Sequence, residues 1–406
     1  MVALQAIRAA HGFDGSRRLP GPVTVLLDGD RIVATYDGAA DIPTDVAVRD
    51  YGDATVLPGL INSHTHLCGD GRSGALDRLP DYDDAGMTAV MEQSLRQQLA
   101  AGVTTVRDLG DRRGAVLAWR ASHDEPTGLP RIVAAGPPIT SPRGHCANMG
   151  GETAGTDEMV AAVEDRLARG ADVIKVMASG GAMTLGTDMS ACQFADVELR
   201  LLVRTAHERG VAVTAHAHAL VAIEQGLSAG VDGIEHCSAL TGRGPDLPAA
   251  LADRLAAAEI WVCPTVGRAD IPTPPEVQAV IDRTGLSFES SRERVRTLHA
   301  AGVRLLAGAD DGINAGKPHG LVPAAVAELA QCMPVADALI CATSASAAAL
   351  SSGSAGAADV RGATIGVLAA GAAADVLVVP GNLHADLTAL QRPIAVYLAG
   401  SLVPAS

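Results

Sequence analysis

Along most of the chain two kinds of apolar pattern alternate: helix-spaced runs, as over residues 87–100 and 156–169, and short β-branched runs just beyond them. The junction between them repeats. A polar-apolar stretch closes on Gly and leads at once into Val, Ile or Thr, as in Ala101-Gly102-Val103-Thr104-Thr105-Val106, Arg169-Gly170-Ala171-Asp172-Val173-Ile174, Arg209-Gly210-Val211-Ala212-Val213, Ala229-Gly230-Val231-Asp232-Gly233-Ile234 and Ala301-Gly302-Val303-Arg304-Leu305-Leu306. Gly just past the last helical turn adopts the left-handed conformation that stops a helix, and β-branched side chains suit a pleated surface. Each unit therefore reads as helix, tight turn, buried strand. Further strands are expected at residues 55–57 with 60–61, at 131–135 and at 260–263. A total of about eight strands, with helices between most of them, predicts an α/β fold of the parallel (β/α)8 TIM-barrel type. A doubly wound open sheet is the competitor, but no G-x-G-x-x-G follows the first strand.

The flanks are patterned differently. Val23-Thr24-Val25-Leu26-Leu27 and Arg31-Ile32-Val33-Ala34 surround an Asp28-Gly29 hairpin signal, and strand-like runs return at Asp375-Val376-Leu377-Val378-Val379 and Ala395-Val396-Tyr397-Leu398. These segments are expected to pair into a small β-sandwich domain built from both termini, residues 1–56 and 359–406, around a barrel at 57–358. The Ser/Ala/Gly-rich residues 344–356 sit in a helix-prone region and do not read as a linker.

Composition narrows the function. At 406 residues the chain can bury a large core, and its net charge of −15 repels polyanions, which argues against nucleic acid as a partner. Seven scattered cysteines without a C-x-x-C pair argue against a disulfide framework, and fit a reducing cytoplasm. Met1-Val2-Ala3-Leu4-Gln5-Ala6-Ile7-Arg8 holds no apolar core of signal-peptide length, and no later stretch offers roughly 20 uninterrupted apolar residues, so neither export nor membrane insertion is expected.

In a barrel of parallel strands, chemistry gathers on the loops leaving the C-terminal strand ends. Read to their ends, the strands deliver His64 and His66, Lys175, His216 with His218, His236, and Asp310. A single His or Asp at a strand end is commonly a capping or hydrogen-bonded residue. Five strand ends all supplying ligand-type residues are hard to explain as core filling. His64 and His66, at i and i+2, point to the same side of an extended strand, the simplest two-imidazole chelate a strand makes. Lys175 lies in an otherwise apolar run, where burial favours the neutral amine, which can add carbon dioxide to become a carboxylate-like carbamate. The competing reading is an ion pair with a barrel acid such as Asp310 or Asp108.

These residues resemble the amidohydrolase superfamily over nearly the whole chain. Leu57-Pro58-Gly59-Leu60-Ile61-Asn62-Ser63-His64-Thr65-His66 resembles its opening motif, and Gly371 to Val379 the closing stretch of its small β domain. Within it, Gly144-His145-Cys146-Ala147-Asn148-Met149-Gly150-Gly151-Glu152, Val173-Ile174-Lys175-Val176-Met177-Ala178-Ser179-Gly180-Gly181, Ala215-His216-Ala217-His218, Ile234-Glu235-His236-Cys237 and Ala307-Gly308-Ala309-Asp310-Asp311-Gly312 are similar to the imidazolonepropionase-like group, which contains metal-dependent prolidases, Xaa-Arg or Xaa-Lys dipeptidases and ochratoxin-type amidases. The family often has Gly-Thr-Asp where this chain has Gly308-Ala309-Asp310; that Thr is not a ligand.

The resemblance implies two divalent metal ions. His64 and His66 would hold the more buried one and His216 and His236 the more exposed one, with N6-carboxylysine at Lys175 bridging them. Asp310 would ligate the first and accept a proton from a bridging hydroxide. His218 competes with His216, but His216 comes first after the strand, where the family ligand sits, leaving His218 to face the substrate. Zinc suits this donor set, and manganese or cobalt bind the same groups. His145, His218 and His319 are the candidates for holding the substrate. The expected reaction is hydrolysis of an amide bond in a small molecule, a dipeptide or N-acyl amino acid with a free carboxylate. The runner-up is a lactam, lactone or ester, and an inactive scaffold homologue stands further off. Deaminases of the superfamily usually lack the strand-four lysine. Relatives often self-associate, so a homo-oligomer is a further expectation.

Overall fold

All five glycine junctions turn on a positive φ, from 71° at Gly210 to 84° at Gly170, in the computed structural model, which describes residues 4–38, 40–123, 128–184, 186–351 and 360–404. Gly230 shows the device. Its N–H closes onto the carbonyls of Gly226 and Leu227, ending helix Leu220–Ala229, and strand Gly233–Thr241 begins three residues later.

Eight parallel strands result: β1 (Leu60–Thr65), β2 (Val103–Asp108), β3 (Arg131–Ala134), β4 (Ile174–Met177), β5 (Val213–Ala219), β6 (Gly233–Thr241), β7 (Trp261–Cys263) and β8 (Arg304–Leu305). Helices α1 (Asp84–Ala100), α2 (Ala115–Ala121), α3 (Gly155–Ala168), α4 (Asp196–Glu208), α5 (Leu220–Ala229) and α6 (Ala249–Ala257) connect the first seven in turn. Both α7 (Pro275–Thr284) and α8 (Phe288–Ala300) lie between β7 and β8. The strands pair in sequence order in two groups, β1 to β3 and β4 to β8. Backbone hydrogen bonds cross both gaps between the groups. On one side Ile139 N–H donates to the Lys175 carbonyl (2.8 Å) and Met177 N–H to Ile139 (2.8 Å); on the other, Ser63 N–H donates to Ala307 (2.9 Å) and Asp310 N–H to His64 (2.8 Å).

The helices bury one stripe each. In α1, Met87, Met91, Leu95 and Leu99 recur every fourth residue on the buried side, and Asp83 caps the helix by accepting the Gly86 N–H. After β8 the chain continues through α9 (Val322–Leu329), α10 (Val335–Cys341) and α11 (Ser344–Ser351). The rest of the Ser/Ala/Gly stretch, and with it the expected boundary at 358/359, lies outside the described residues.

Two further sheets flank these strands. One orders Arg31–Asp37, Val23–Asp28, Gln5–Ala9 and Ala47–Asp50; the other interleaves both termini, with Val376–Pro380 pairing antiparallel to Ala54–Pro58 and to Ala395–Leu398. Residues 55–57, expected to open the first barrel strand, therefore belong to the flanking sheet. Pro58 has no N–H to continue a ladder, and the chain then presses so close to Thr104 that a Cβ on Gly59 would lie 2.2 Å from its Oγ1. The expected domain boundary at 57 falls inside strand Ala54–Pro58.

Val376–Pro380 alternates between two cores. Val376 and Val378 join Val25, Leu27 and Val56, whereas Leu377 and Val379 join Leu57, Leu60 and the larger core of strands and helices. All seven cysteines are free. Among the described residues no helix is long and apolar enough to cross a membrane. Leu377 links the terminal sheet to the main core, packing against the Gly102 turn. Its replacement by Ala is expected to cost about 2–5 kcal/mol in urea unfolding; a loss well under that would mean the two layers are not coupled through it.

Candidate metal centre

The residues at the C-terminal strand ends converge. His64 Nε2 and His66 Nε2 lie 3.4 and 3.3 Å from Asp310 Oδ1, and the two rings stand edge to face with centroids 5.3 Å apart. His236 is 5.2 Å from His64, ring to ring, and 4.6 Å from His216. Parallel pairing sets this level, since Met177 on β4 is opposite His216 on β5, and Ala217 is opposite His236 on β6. Two sets of three candidate donor atoms, each within 4.8 Å of one another, share His236: His64, His236 and Asp310, and His216, His218 and His236. His236 and Asp310 hold left-handed backbone conformations, with φ of 67° and 56°, which a side chain disfavours and a functional site commonly retains.

Each ring is tied at one nitrogen. His64 Nδ1 donates to Glu235 Oε2 (2.8 Å), His66 Nδ1 to the Gly110 carbonyl (2.9 Å) and His216 Nε2 to the Gly180 carbonyl (3.2 Å). His236 Nδ1 shares a hydrogen bond with Thr265 Oγ1 (2.8 Å), and His218 Nδ1 with Ser238 Oγ (2.8 Å). The other nitrogen of each remains for a ligand, the arrangement by which outer partners orient metal-binding imidazoles. At His66 burial is outweighed by the neighbouring Asp310, which raises the pKa, but burial keeps the other four rings neutral, the form that donates a lone pair. It lowers His64 to about 4 and His218 to about 3, and takes His216 and His236 well below the ordinary value. Burial also opposes ionisation of Asp310, but His64 and His66 hold its carboxyl down at about 2.

Lys175 is almost wholly buried, and its Nζ has no hydrogen-bond partner. Neither Asp310 nor Asp108 pairs with it: Asp310 binds His64 and His66, while Asp108 accepts the N–H groups of Leu67 and Gly110. Burial lowers the pKa of this amine, although Glu235 and Asp310 pull the other way.

A cavity of about 250 Å³ opens over the centre, lined by all six of these residues and by His145 and His218. His145 packs 4.5 Å from the His216 ring and bonds Thr184 through Nδ1 (2.8 Å); a Cβ on Gly181 would collide with it. His319 does not line the cavity. Its Nε2 donates to the Gly69 carbonyl (2.8 Å) and its Nδ1 faces Thr65 and Gln98, so both nitrogens are spent on the framework. Lys317 of the same loop lines the cavity instead.

Residues not singled out from the sequence complete the site. Glu235 takes Arg107 Nη2 (2.9 Å) and Thr214 Oγ1 (2.6 Å) on one oxygen and His64 on the other, and Arg107 Nε also holds the Ser63 carbonyl (2.7 Å). Arg107 and Glu235 are opposite charges inside apolar strand runs, a signal that could have marked them. The hydroxyls of Thr265 and Ser238 carry no such mark.

The sequence model of the amidohydrolase family matches residues 55–403. Ochratoxinase of Aspergillus niger is 29% identical over 247 residues, 52% of this chain and 50% of that one. The chain thus spans about half the length of the curated relatives it matches. A solved Xaa-Pro dipeptidase with methionine bound in its active site shares the fold, with a TM-score of 0.84 over 98% of this chain and 99% of that one at 24% identity. A solved prolidase complexed with N-methylphosphonate-L-proline has a TM-score of 0.81, covers 99% of both chains and is 25% identical.

Among the described residues His64 is the one candidate ligand that Glu235 hydrogen-bonds, so Glu235→Gln is expected to weaken metal retention about 10- to 100-fold in competition with a chelator. Retention equal to that of the parent protein would show that His64 is oriented by other contacts.

Proposed function

The chain belongs to the amidohydrolase family, and from that premise we propose that it hydrolyses the C–N bond of a dipeptide or N-acyl amino acid with the help of two divalent metal ions, zinc foremost. The architecture is read accordingly. The two groups of parallel strands act as one (β/α)8 barrel, a reading supported by the backbone hydrogen bonds across both gaps. The two flanking sheets, which share one apolar core, act as a small β-sandwich contributed by both ends of the chain.

The residues fit such ions. His64, His66 and Asp310 would hold one, His216 and His236 the other, with Lys175 between them as N6-carboxylysine. The observation that carries this reading is the orphaned Lys175 Nζ in the midst of neutral imidazoles. An ammonium there would lack any partner, whereas the neutral amine that burial favours is the form that adds carbon dioxide and becomes an anionic donor. When bound, two such ions would bring the pKa of water towards neutrality and polarise the scissile carbonyl.

The chain's own groups supply the remainder. Asp310 is ionised at neutral pH, and the imidazoles of His64 and His66 fix its Oδ1. It is placed to take the proton of the attacking water and to deliver it to the leaving nitrogen. His145 and His218 flank His216 on the cavity wall and are assigned to the substrate carbonyl. Methionines 177, 183 and 189 give the cavity an apolar side that sheds water and accepts a hydrophobic side chain.

A panel of dipeptides and N-acyl amino acids, offered to zinc-loaded protein, tests the substrate class, and activity confined to lactones would overturn it. On the best substrate Asp310→Asn is expected to lower kcat by about 10²- to 10⁴-fold. A kcat within a few-fold of the parent's would remove Asp310 from the proton path.

A further inference from the structure

Neither the metal ligands nor the packing of α8 explains Arg294. The residue is 6% exposed, yet it lines the cavity over the candidate centre. Its Nε and Nη1 are closed off from solvent and have no hydrogen-bond partner among the described residues. Other cations of the same wall are occupied. Lys317 Nζ donates to the carbonyls of Thr265 (2.8 Å) and Ala309 (2.7 Å), and the Arg268 guanidinium lies 3.5 Å above the Phe288 ring. Glu328, an acid of the cavity wall, faces Arg292 Nε at 3.3 Å, and Arg292 also reaches Glu289.

A guanidinium cannot shed its charge at any pH the protein survives, so a buried and unpaired one lowers stability unless an anion completes it. Its charge reaches the reaction centre: after burial it is one of the influences that keep the His218 imidazole neutral. The cavity that Arg294 lines also carries apolar Ile281, Leu286 and Ile313. Low polarity strengthens a charge-assisted hydrogen bond, and the guanidinium fork matches a carboxylate.

We propose that Arg294 binds the carboxylate of the substrate and so makes the site selective for free acids over the corresponding amides and esters. The inference rests on the hydrolase reading above and adds to it the residue that sets specificity. Arg294 acts in recognition and has no part in the proton path.

The test uses a non-hydrolysable ligand, an N-acyl amino acid analogue with phosphonate in place of the scissile carbonyl, prepared as the free acid and as the C-terminal carboxamide. Each is titrated calorimetrically into metal-loaded parent protein, Arg294→Gln and Arg294→Lys. The parent is expected to prefer the acid by at least about 50-fold; Arg294→Gln loses that preference while its carboxamide affinity stays within about threefold, and Arg294→Lys keeps part of it. Without ligand, Arg294→Gln is expected to melt no lower than the parent, because a buried unpaired charge has been removed. A structural arginine would instead lower the melting temperature and weaken both ligands alike. Equal affinity of the parent for the two ligands, failure to bind the acid, or a preference that survives in Arg294→Gln would overturn the proposal. Binding is read without turnover, so an acid preference in a protein that cleaves no amide would sink the hydrolase reading and leave the role of Arg294 standing. Amide hydrolysis without acid preference would do the reverse.

Discussion

The imidazoles of the candidate centre can face inward together because the other nitrogen of each is already bonded. A ring free to rotate would have several orientations to lose on binding a cation, whereas these rings are fixed by Glu235, two backbone carbonyls and two hydroxyls. Glu235 is itself anchored by Arg107 and Thr214, so the orientation of His64 is set from the floor of the strand array upward. Burial then holds His64, His216 and His236 neutral, so these three present lone pairs and not positive charge. Such a cluster is poorly satisfied without a cation.

Much of this was legible in the residues. The five Gly junctions foretold the helix stops, and with them the direction of each following strand, because only a left-handed residue ends a helix so abruptly before a β-branched run. His64, His66, Lys175, His216, His236 and Asp310 were legible as strand-end residues, and they line one cavity. Less was legible where side-chain direction depends on the backbone. Glu235 and His236 are neighbours, and strict alternation would send them to opposite faces. The positive φ at His236 departs from the extended conformation, and both meet His64. His319 was misjudged because loop membership says nothing about which way a ring points. Two residues away, Lys317 reaches the cavity, while the His319 ring bonds the Gly69 carbonyl. The strand at Ala54–Pro58 joined the wrong layer in the sequence reading because an apolar run does not declare which sheet it serves.

Charge is distributed against the composition. A chain with a net charge of −15 places Arg268, Arg294 and Lys317 on the wall of a cavity whose acids are Asp310 and Glu328. A repulsive exterior and a cationic interior suit a small anionic ligand that is drawn to one cleft, since low-dielectric walls focus the local field. The apolar residues of α7 and the methionines add hydrophobic surface to the same cavity, so recognition divides into a charged part and a hydrophobic part.

Metal content tests the convergence of the six candidate ligands most directly. The full chain, saturated with zinc and freed of excess by gel filtration, would be assayed by inductively coupled plasma mass spectrometry against its molar concentration. Two zinc ions per chain are predicted; one or none would contradict a centre in which Lys175 joins two sets of imidazoles.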